Sequence, residues 1–229
     1  MSKQHEVTAM FNNIAGHYDF LNHLFSLNID KRWRKTVSQQ VAKCHPQTIL
    51  DVATGTADQL LQMADDMPQA HITGVDLSEA MLEIGRRKVG GRENITLTLA
   101  DATHLPYADR CFDVVTAAFG VRNFEDIPLG IKEMKRVLKD DGKIFILDFS
   151  TPSRFPIKQL YRFYFNNIIP IIGRTVSKDA KAYRYLPESV DSFPQGGSFV
   201  GLMEQAGMVD VGYKSMTFGI ATLYWGRRK

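Results

Sequence analysis

Short apolar runs and amphipathic stretches alternate through the middle of the chain. Five apolar runs predict β-strands, at 48–52, 71–75, 95–100, 112–119 and 142–150. Three stretches with apolar residues at helical spacing predict α-helices between them, at 58–67, 78–89 and 127–138. Strands that alternate with helices are typical of a parallel sheet with helices on both faces. The pattern therefore predicts an α/β fold built around an open parallel sheet.

The chain before the first predicted strand has a helical pattern. Apolar residues recur at three- and four-residue steps between Phe11 and Phe25, and basic residues gather around Trp33. This spacing predicts a helical region over 6–45, which we interpret as a cap on the sheet.

The alternation of strands and helices stops at Thr151. The aromatic segment from there to Ser192 contains no convincing strand pattern. Beyond it, the sequence predicts a helix at 196–207 and strands near 209–215 and 219–225. We therefore expect one domain with four parts: an N-terminal helical cap at 1–45, a cofactor-binding core at 46–150, an insertion on the substrate side at 151–192, and a closing helix and strands at 193–229.

The composition excludes several classes of protein. The chain has 229 residues, with 28 basic and 25 acidic side chains, a net charge of +3 that is too weak to indicate a nucleic-acid partner. Cys44 and Cys111 are too few for a disulfide framework and lack metal-ligand spacing, which predicts a reducing cytoplasm and no metal site. The sequence shows no signal peptide and no run of 18 apolar residues, so we expect neither secretion nor a membrane span.

The turn after the first predicted strand, "LDVATGTADQ" at 50–59, has the outline of a nucleotide-binding turn. It carries one glycine, Gly55, where three are usual, because Ala53 and Ala57 take the other two places. A dinucleotide presses its pyrophosphate against such a turn and requires bare backbone there. S-adenosylmethionine has no phosphate and tolerates two methyl groups at the turn. The residues therefore favour S-adenosylmethionine over NAD, which leaves an NAD-dependent oxidoreductase as the disfavoured alternative.

Acidic residues lie at three successive ends of predicted strands, namely Asp51, Asp76 and Asp101. Ligands of open parallel sheets bind beyond the carboxyl ends of the strands. Asp76, about 20 residues past the turn, is placed to accept hydrogen bonds from ribose hydroxyls, and Asp101 is placed to accept one from the adenine amine. The alternative, that these carboxylates only cap helices and turns, remains open.

Seven blocks of the sequence resemble, in order, those of the quinone-biosynthesis C-methyltransferases, which are the demethylmenaquinone and 2-polyprenyl-6-methoxy-1,4-benzoquinol methyltransferases. The blocks lie at 11–34, 50–59, 74–82, 100–106, 112–126, 133–152 and 183–194. Two of them are specific to this family, "FNNIAGHYDFLNHLFSLNIDKRWR" at 11–34 and "FDVVTAAFGVRNFED" at 112–126. The chain departs from the family pattern at Ala57, where glycine is usual, and at 140–142, where "DDG" replaces the common Pro-Gly-Gly.

The resemblance implies a Rossmann-like, seven-stranded class I methyltransferase sheet whose last strand is antiparallel. It also implies C-methylation of a polyprenylated quinol, most simply demethylmenaquinol, with the ubiquinone precursor or a non-catalytic S-adenosylmethionine-binding protein as alternatives. Expected partners are the quinol and, by peripheral contact, a membrane, with a homo-oligomer as a further option. The residues expected to bind the cofactor are Asp51, Gly55, Thr56, Asp76, Asp101, Ala102 and Ala118.

The block at the end of the fourth predicted strand supplies candidates for the acceptor site. "AAFGVRN" at 117–123 has neither the Asn/Asp-Pro-Pro-aromatic motif of nitrogen-methylating enzymes nor the Pro-Cys of cytosine-C5 enzymes. Methylation of a nucleic-acid base is therefore disfavoured. Arg122 and Asn123 are the candidate catalytic residues, because both can hold a phenolate oxygen. Alternatively, Arg122 only pairs with a carboxylate that fixes the loop.

The segment 154–174 is the candidate lid over the acceptor. On a helical wheel it has one narrow polar stripe and a broad apolar face that includes Phe163, Phe165 and Ile169, before Pro170 ends the helix. Such a face suits an isoprenoid tail or the surface of a bilayer, although an ordinary helix that packs on the sheet has the same pattern. The candidate contacts to the quinol ring are Tyr161, Tyr164, Tyr183 and Tyr185.

Overall fold

Seven strands form one sheet in the order β3-β2-β1-β4-β5-β7-β6. The computed structural model describes residues 3–168 and 180–229. The strands are β1 Thr48–Val52, β2 His71–Asp76, β3 Ile95–Leu99, β4 Phe112–Ala118, β5 Leu138–Phe149, β6 Met208–Met216 and β7 Ala221–Arg228. The helices of the described residues are α1 Lys3–Phe25, α2 Ile29–Ala42, α3 Asp58–Asp66, α4 Glu79–Val89, α5 Ile127–Val137, α6 Ile157–Phe163, α7 Ala180–Ser192 and α8 Gly197–Gln205.

Strands β1 to β5 are parallel, and β7 runs antiparallel to both β5 and β6. The predicted α/β class and the antiparallel last strand are therefore confirmed. The chain order reverses between β1 and β4, which lie side by side. In open α/β sheets the crevice beyond the strand ends at such a reversal is where ligands bind.

Alternating residues of the central strands point to opposite faces of the sheet and bury two separate cores. Ile49 of β1 packs with Trp33 of α2 and Met63 of α3 on one face, while Leu50 belongs to the core with Met134 of α5 on the other face. Each large apolar side chain that is fully buried in this way contributes about 1.5–3 kcal/mol relative to an exposed one. The two helical layers thus fix the sheet from both sides and hold the strand ends in place.

The helical region that the periodicity predicts over 6–45 consists of two helices, α1 and α2. The break falls between α1 and α2, where Leu27 and Asn28 adopt left-handed backbone with φ of 51° and 59°. Asp30, at the start of α2, stabilises the break by accepting hydrogen bonds from His23 Nδ1 at 2.9 Å and from Ser26 Oγ at 2.6 Å. The apolar spacing continues through the break, and for that reason the sequence pattern does not reveal it.

The described parts of the insertion are helical from Ile157 onward. Helix α6 continues as a π-helical segment, Tyr164–Ile168, and α7 follows later in the chain. No strand occurs at 151–168 or 180–192, as the sequence predicts. The remainder of the predicted lid, with Ile169 and Pro170, lies outside the described residues, and so does the side chain of Tyr183. Within the described ranges, no helix combines the length and the apolar character needed to cross a membrane.

Candidate active site

A cleft opens at the carboxyl ends of β1 to β4 and is covered by α1. Gly55 after β1, Asp76 at the end of β2 and Ala118 at the end of β4 line it. Asp101 and Ala102, which follow β3, complete this edge of the cleft. The structure therefore brings together five of the seven residues that the sequence predicts for cofactor binding.

In the turn after β1, two alanines adopt the left-handed backbone conformation that usually requires glycine. Ala53, Gly55 and Ala57 all adopt left-handed backbone, with φ of 54°, 58° and 69°. This conformation costs an alanine roughly 1–2 kcal/mol, a strain that the surrounding fold must compensate. A nearby position does require glycine, because a Cβ on Gly120 would collide with the Cβ of Ala53. The backbone of Gly120, just after β4, therefore packs directly against the side chain of Ala53 in the turn.

Asp76 holds the turn after β1 and the backbone of Ser78, which is the N-cap residue of α4. One carboxylate oxygen accepts a hydrogen bond from the Gly55 amide at 2.8 Å, and the other accepts one from the Ser78 amide at 2.8 Å. Burial raises the pKa of this carboxyl, while the hydrogen bonds from Ser78 and Gly55 lower it. Asp76 thus caps backbone amides, as the alternative interpretation expects, and also lines the cleft.

Asp51 and Thr56 lie behind the cleft rather than on its wall. The buried carboxylate of Asp51 accepts hydrogen bonds from the hydroxyls of Thr54 at 2.7 Å and Thr116 at 2.6 Å. Burial raises the pKa of Asp51 to about 6, although these two hydrogen bonds oppose the shift. The Thr56 hydroxyl donates to Asp19 of α1. These two residues therefore fix the turn to the sheet and to the helical cap.

The two candidate catalytic residues occupy different positions in the 3₁₀ turn Val121–Asn123. Asn123 lines the cleft and accepts a hydrogen bond from the Tyr185 hydroxyl at 2.9 Å. Arg122 is buried and pairs with Asp148 of β5, with 2.8 Å between Nη1 and Oδ1. The arginine also donates to the carbonyl of Phe119. The structure thus contains the loop-fixing pair that the sequence leaves open as the alternative role of Arg122.

Tyr18 of α1 lines the cleft and is absent from the residues that the sequence singles out. Burial raises the pKa of its hydroxyl, while the positive charge of Arg122 lowers it. Tyr18 belongs to the family-specific block at 11–34, but its spacing matches the apolar face of a helix. Its place in the family-specific block was the sequence evidence for a role at the site, but its helical spacing indicated a packing residue instead.

The three described candidate tyrosines of the insertion differ in their surroundings. The ring of Tyr161 is buried and stacks on Phe165 with 4.1 Å between centroids. Its hydroxyl is buried without a hydrogen-bond partner among the described residues. Tyr164 is half-buried and contacts Phe165 edge-on, whereas Tyr185 reaches Asn123 at the cleft. Leu186 packs against the Tyr161–Phe165 pair and links α6 to α7.

The wall of the cleft fits a positively charged nucleoside. It carries the carboxylates of Asp76, Asp101 and Glu125, and none of the described lining residues is a lysine or an arginine. S-adenosylmethionine, with its sulfonium, matches this charge, whereas the pyrophosphate of a dinucleotide does not. The described residues also contain no group of His, Cys, Asp and Glu side chains that could hold a metal ion.

Comparison with curated proteins gives relatives that match the chain along its length. The demethylmenaquinone methyltransferase of Porphyromonas gingivalis is 46% identical, and the match covers 98% of this chain and 93% of the relative. The protein named ubiquinone/menaquinone biosynthesis C-methyltransferase UbiE of Citrifermentans bemidjiense is 44% identical, over 99% of this chain and 97% of the relative.

Solved structures show the same fold. A SAM-dependent methyltransferase of Thermotoga maritima, described as a possible histamine N-methyltransferase, superposes with a TM-score of 0.64 at 18% identity, over 96% of this chain and 99% of that one. Phosphoethanolamine N-methyltransferase 2 of Haemonchus contortus, solved with S-adenosyl-L-methionine, gives 0.60 at 14% identity, over 80% of this chain and 48% of that one. The model of the ubiE/COQ5 methyltransferase family matches residues 1–228. The chain therefore belongs to the ubiE/COQ5 methyltransferase family and is a methyltransferase that uses S-adenosylmethionine as its cofactor.

Proposed function

We propose that this methyltransferase transfers a methyl group to a ring carbon of a polyprenylated quinol, with demethylmenaquinol as the substrate. The observation that carries the proposal is the Asn123–Tyr185 hydrogen bond at the end of β4, which places a polar pair beside the apolar walls of the cleft. The name of the Porphyromonas gingivalis relative supports demethylmenaquinol. The second candidate substrate is 2-polyprenyl-6-methoxy-1,4-benzoquinol, because the name of the Citrifermentans bemidjiense relative includes ubiquinone biosynthesis as well as menaquinone biosynthesis.

The chemistry requires an electron-rich ring in a site that excludes water. A quinol that is deprotonated at one hydroxyl carries electron density on the carbon beside it, whereas the oxidised quinone does not. When bound, S-adenosylmethionine supplies an electrophilic methyl group. Attack of the phenolate ring carbon on that methyl group would break the methyl–sulfur bond and neutralise opposite charges, so a dry site would favour the transition state over the separated ions. The proton of the methylated ring carbon would then pass to the ring oxygen and restore the quinol. The apolar side chains of Phe11, Phe119 and Phe124 on the cleft wall support this role.

Asn123 and Arg122 have separate roles in this proposal. Asn123 is the catalytic residue, because its amide lies on the cleft wall and can donate to a phenolate oxygen while it accepts from Tyr185. Arg122 is a positioning residue, since its guanidinium is held by Asp148. Its positive charge also stabilises negative charge on nearby phenols, as its effect on the pKa of Tyr18 indicates.

Tyr161 is the tyrosine of α6 that we assign to the quinol ring. A buried hydroxyl without a hydrogen-bond partner costs about 1–3 kcal/mol, and the hydroxyl of Tyr161 has none among the described residues. A quinol oxygen would satisfy it. Tyr164 and Tyr185 keep supporting roles in the same region, since Tyr185 is already bonded to Asn123.

The outer face of α6 is proposed to contact the isoprenoid tail and the surface of a bilayer from the cytoplasm. Large apolar side chains remain exposed here, namely Leu160 at 61% and Phe163 at 60% in α6 and Phe155 at 81% in the turn before it. A second element reaches the same region, because Ile220 packs against Tyr161 and Phe165, and Phe218, only two residues earlier, is 78% exposed. Exposed apolar groups of this size mark interaction surfaces.

Two further features support contact with an anionic membrane. The segment 151–168 contains three basic residues, Arg154, Lys158 and Arg162, and no acidic residue. Phe218 adopts left-handed backbone with φ of 58°, a strained conformation for an aromatic residue. The neighbouring Thr217 is held by a 2.8 Å hydrogen bond from the indole of Trp33. The fold thus keeps an aromatic ring exposed at a local energetic cost.

Methyl transfer from labelled S-adenosylmethionine to demethylmenaquinol, compared with the same compound kept oxidised, tests the proposed function. We expect label on a ring carbon with the quinol and none with the quinone. Label on an oxygen, or equal transfer to both redox forms, would contradict C-methylation of a quinol.

A further inference from the structure

Arg34 of α2 is a buried cation whose Nε has no hydrogen-bond acceptor among the described residues. Its side chain is about 10% exposed, and its Nε is buried with no partner among the described residues. The carboxylate of Asp30 lies 3.7 Å from Nε, which is too long for a hydrogen bond. Both oxygens of Asp30 already accept from His23 and Ser26. Because an unsatisfied buried charge is costly, the site calls for an additional acceptor.

The guanidinium lies over an aromatic ring that lines the cofactor cleft. Its central carbon is 5.1 Å from the centroid of the Phe119 ring, and Phe119 follows β4 and lines the cleft. Arg34 therefore sits beside the junction of β1 and β4, on the face of the sheet that α2 covers.

The order of the strands indicates which part of the cofactor approaches this junction. With adenine at Asp101 after β3 and ribose at Asp76 after β2, a cofactor laid along the strand ends places its methionyl group at β1 and β4. This direction rests on the proposed roles of Asp76 and Asp101. The methionyl group carries a carboxylate, and the described cleft wall offers acidic side chains but no basic one.

We propose that Arg34 binds the carboxylate of the methionyl group of S-adenosylmethionine. The planar guanidinium can donate two parallel hydrogen bonds to a carboxylate, a geometry that an ammonium group does not provide. Lys88 is a poor substitute, because it is already within 2.6 Å of the carboxylates of both Asp19 and Asp58. Arg34 thereby distinguishes the intact cofactor from adenosine compounds that lack the amino acid.

Titration calorimetry with two ligands tests this assignment. S-adenosylhomocysteine carries the carboxylate, whereas 5′-methylthioadenosine has the same adenosine and thioether without it. Arg34→Gln should weaken binding of S-adenosylhomocysteine by about 10- to 100-fold, the range expected for charge-assisted hydrogen bonds, and leave binding of 5′-methylthioadenosine within about twofold. Arg34→Lys should give a smaller loss on the first ligand, because the charge remains while the fork is lost.

Arg32→Gln is the matched control, since Arg32 lies on the same helix but is exposed, and it should change neither affinity. Equal losses on both ligands in Arg34→Gln, or no loss on either, would overturn the assignment and leave Arg34 as a structural partner of Asp30. If Arg34→Gln does not fold, binding measurements on the wild-type protein and on Arg34→Lys still test the assignment. Decarboxylated S-adenosylhomocysteine should then bind the wild type at least about tenfold more weakly than the parent, and equal affinity would refute the proposal.

Discussion

Arg122 and Asp148 form a buried ion pair that joins the loop after β4 to the end of β5. Nη1 of the arginine is 2.8 Å from Oδ1 of the aspartate, and the Arg122 amide donates to Oδ2 at 3.2 Å. The two contacts fix both the backbone and the side chain of the 3₁₀ turn. They therefore determine the position at which the next residue, Asn123, lines the cleft.

This relationship predicts the behaviour of variants at the turn. Asn123→Ala should lower the single-turnover rate of methyl transfer by about 10²- to 10³-fold, by analogy with the loss of one oxyanion donor. Arg122→Lys should lower it as well, because a lysine keeps the charge but lacks the planar guanidinium, whose Nη1 donates to both Asp148 and the Phe119 carbonyl. Rapid-quench measurement at saturating quinol and cofactor gives the rate, and cofactor affinity should barely change.

Asp148→Asn is the control that separates positioning from charge. It leaves Arg122 in place without its partner and should cost roughly 3–5 kcal/mol of stability. If Arg122 only positions the loop, Asp148→Asn and Arg122→Ala should slow methyl transfer equally. A larger loss in Arg122→Ala supports a contribution from its charge, and rates near the wild type in Asn123→Ala and Arg122→Ala would move the acceptor site elsewhere.

Asp76→Ala should weaken binding of S-adenosylmethionine by about 2 to 4 kcal/mol, because two charge-assisted hydrogen bonds to the ribose are lost at a buried site. The variant also loses the acceptor for the amide of Ser78, the residue that precedes α4. Asp126→Ala likewise removes a carboxylate that accepts from a backbone amide at the start of a helix, here the Leu129 amide of α5 at 2.9 Å, and should leave cofactor affinity unchanged. Calorimetry that shows equal affinity for wild type and Asp76→Ala would refute the ribose placement.

The two phenylalanines of the lid should behave differently. Phe163 is 60% exposed, so Phe163→Ser should raise KM for long-tailed quinols far more than for a tail-less analogue and should weaken binding to anionic vesicles. Phe165 is buried against Tyr161, and Phe165→Ser should lower the free energy of unfolding by roughly 3 kcal/mol. Leu129→Ser, at an exposed position on α5, controls for a general loss of apolar surface. Equal changes in KM for both substrates would show that α6 does not serve the tail.

Asp51 gives the unfolding free energy a defined dependence on pH. Burial raises its pKa from 3.8 to about 6 in the folded protein, so the folded state holds this proton more tightly than the unfolded state. The stabilisation from this proton is complete below about pH 4 and is lost as the pH rises through about 6.

Asp51→Asn removes this titration. Relative to wild type, the variant should gain up to about 3 kcal/mol in unfolding free energy between pH 4 and pH 7. Urea unfolding of both proteins across this range measures the difference. A difference that does not change with pH would contradict the raised pKa.

The sequence was most informative where a strand is buried on both faces. The runs at 48–52 and 112–119 coincide with β1 and β4 to within a residue, because continuous apolar runs have few alternatives to a central strand. Strand β5 begins at Leu138 rather than at 142. The sequence did not reveal this earlier start, because exposed polar residues such as Asp140 and Asp141 are typical of a loop.

Residues that reach the cleft from the helical cap could not be predicted in the same way. Asp76, Asp101 and Asn123 follow strands, and the ends of parallel strands meet at one edge of a sheet. Tyr18 and Arg34 belong to α1 and α2, and only the packing of these helices over the strand ends brings them to the site. No spacing rule along the chain encodes that contact.

Single-turnover methylation of two quinols tests the central claim most directly. Demethylmenaquinol and 2-polyprenyl-6-methoxy-1,4-benzoquinol with tails of equal length would each be mixed with enzyme saturated with S-adenosylmethionine under reducing conditions. We predict transfer to the ring carbon of demethylmenaquinol at least about tenfold faster, a difference of about 1.4 kcal/mol in activation free energy. No methyl transfer to either quinol, by folded protein with the cofactor bound, would contradict the proposed function.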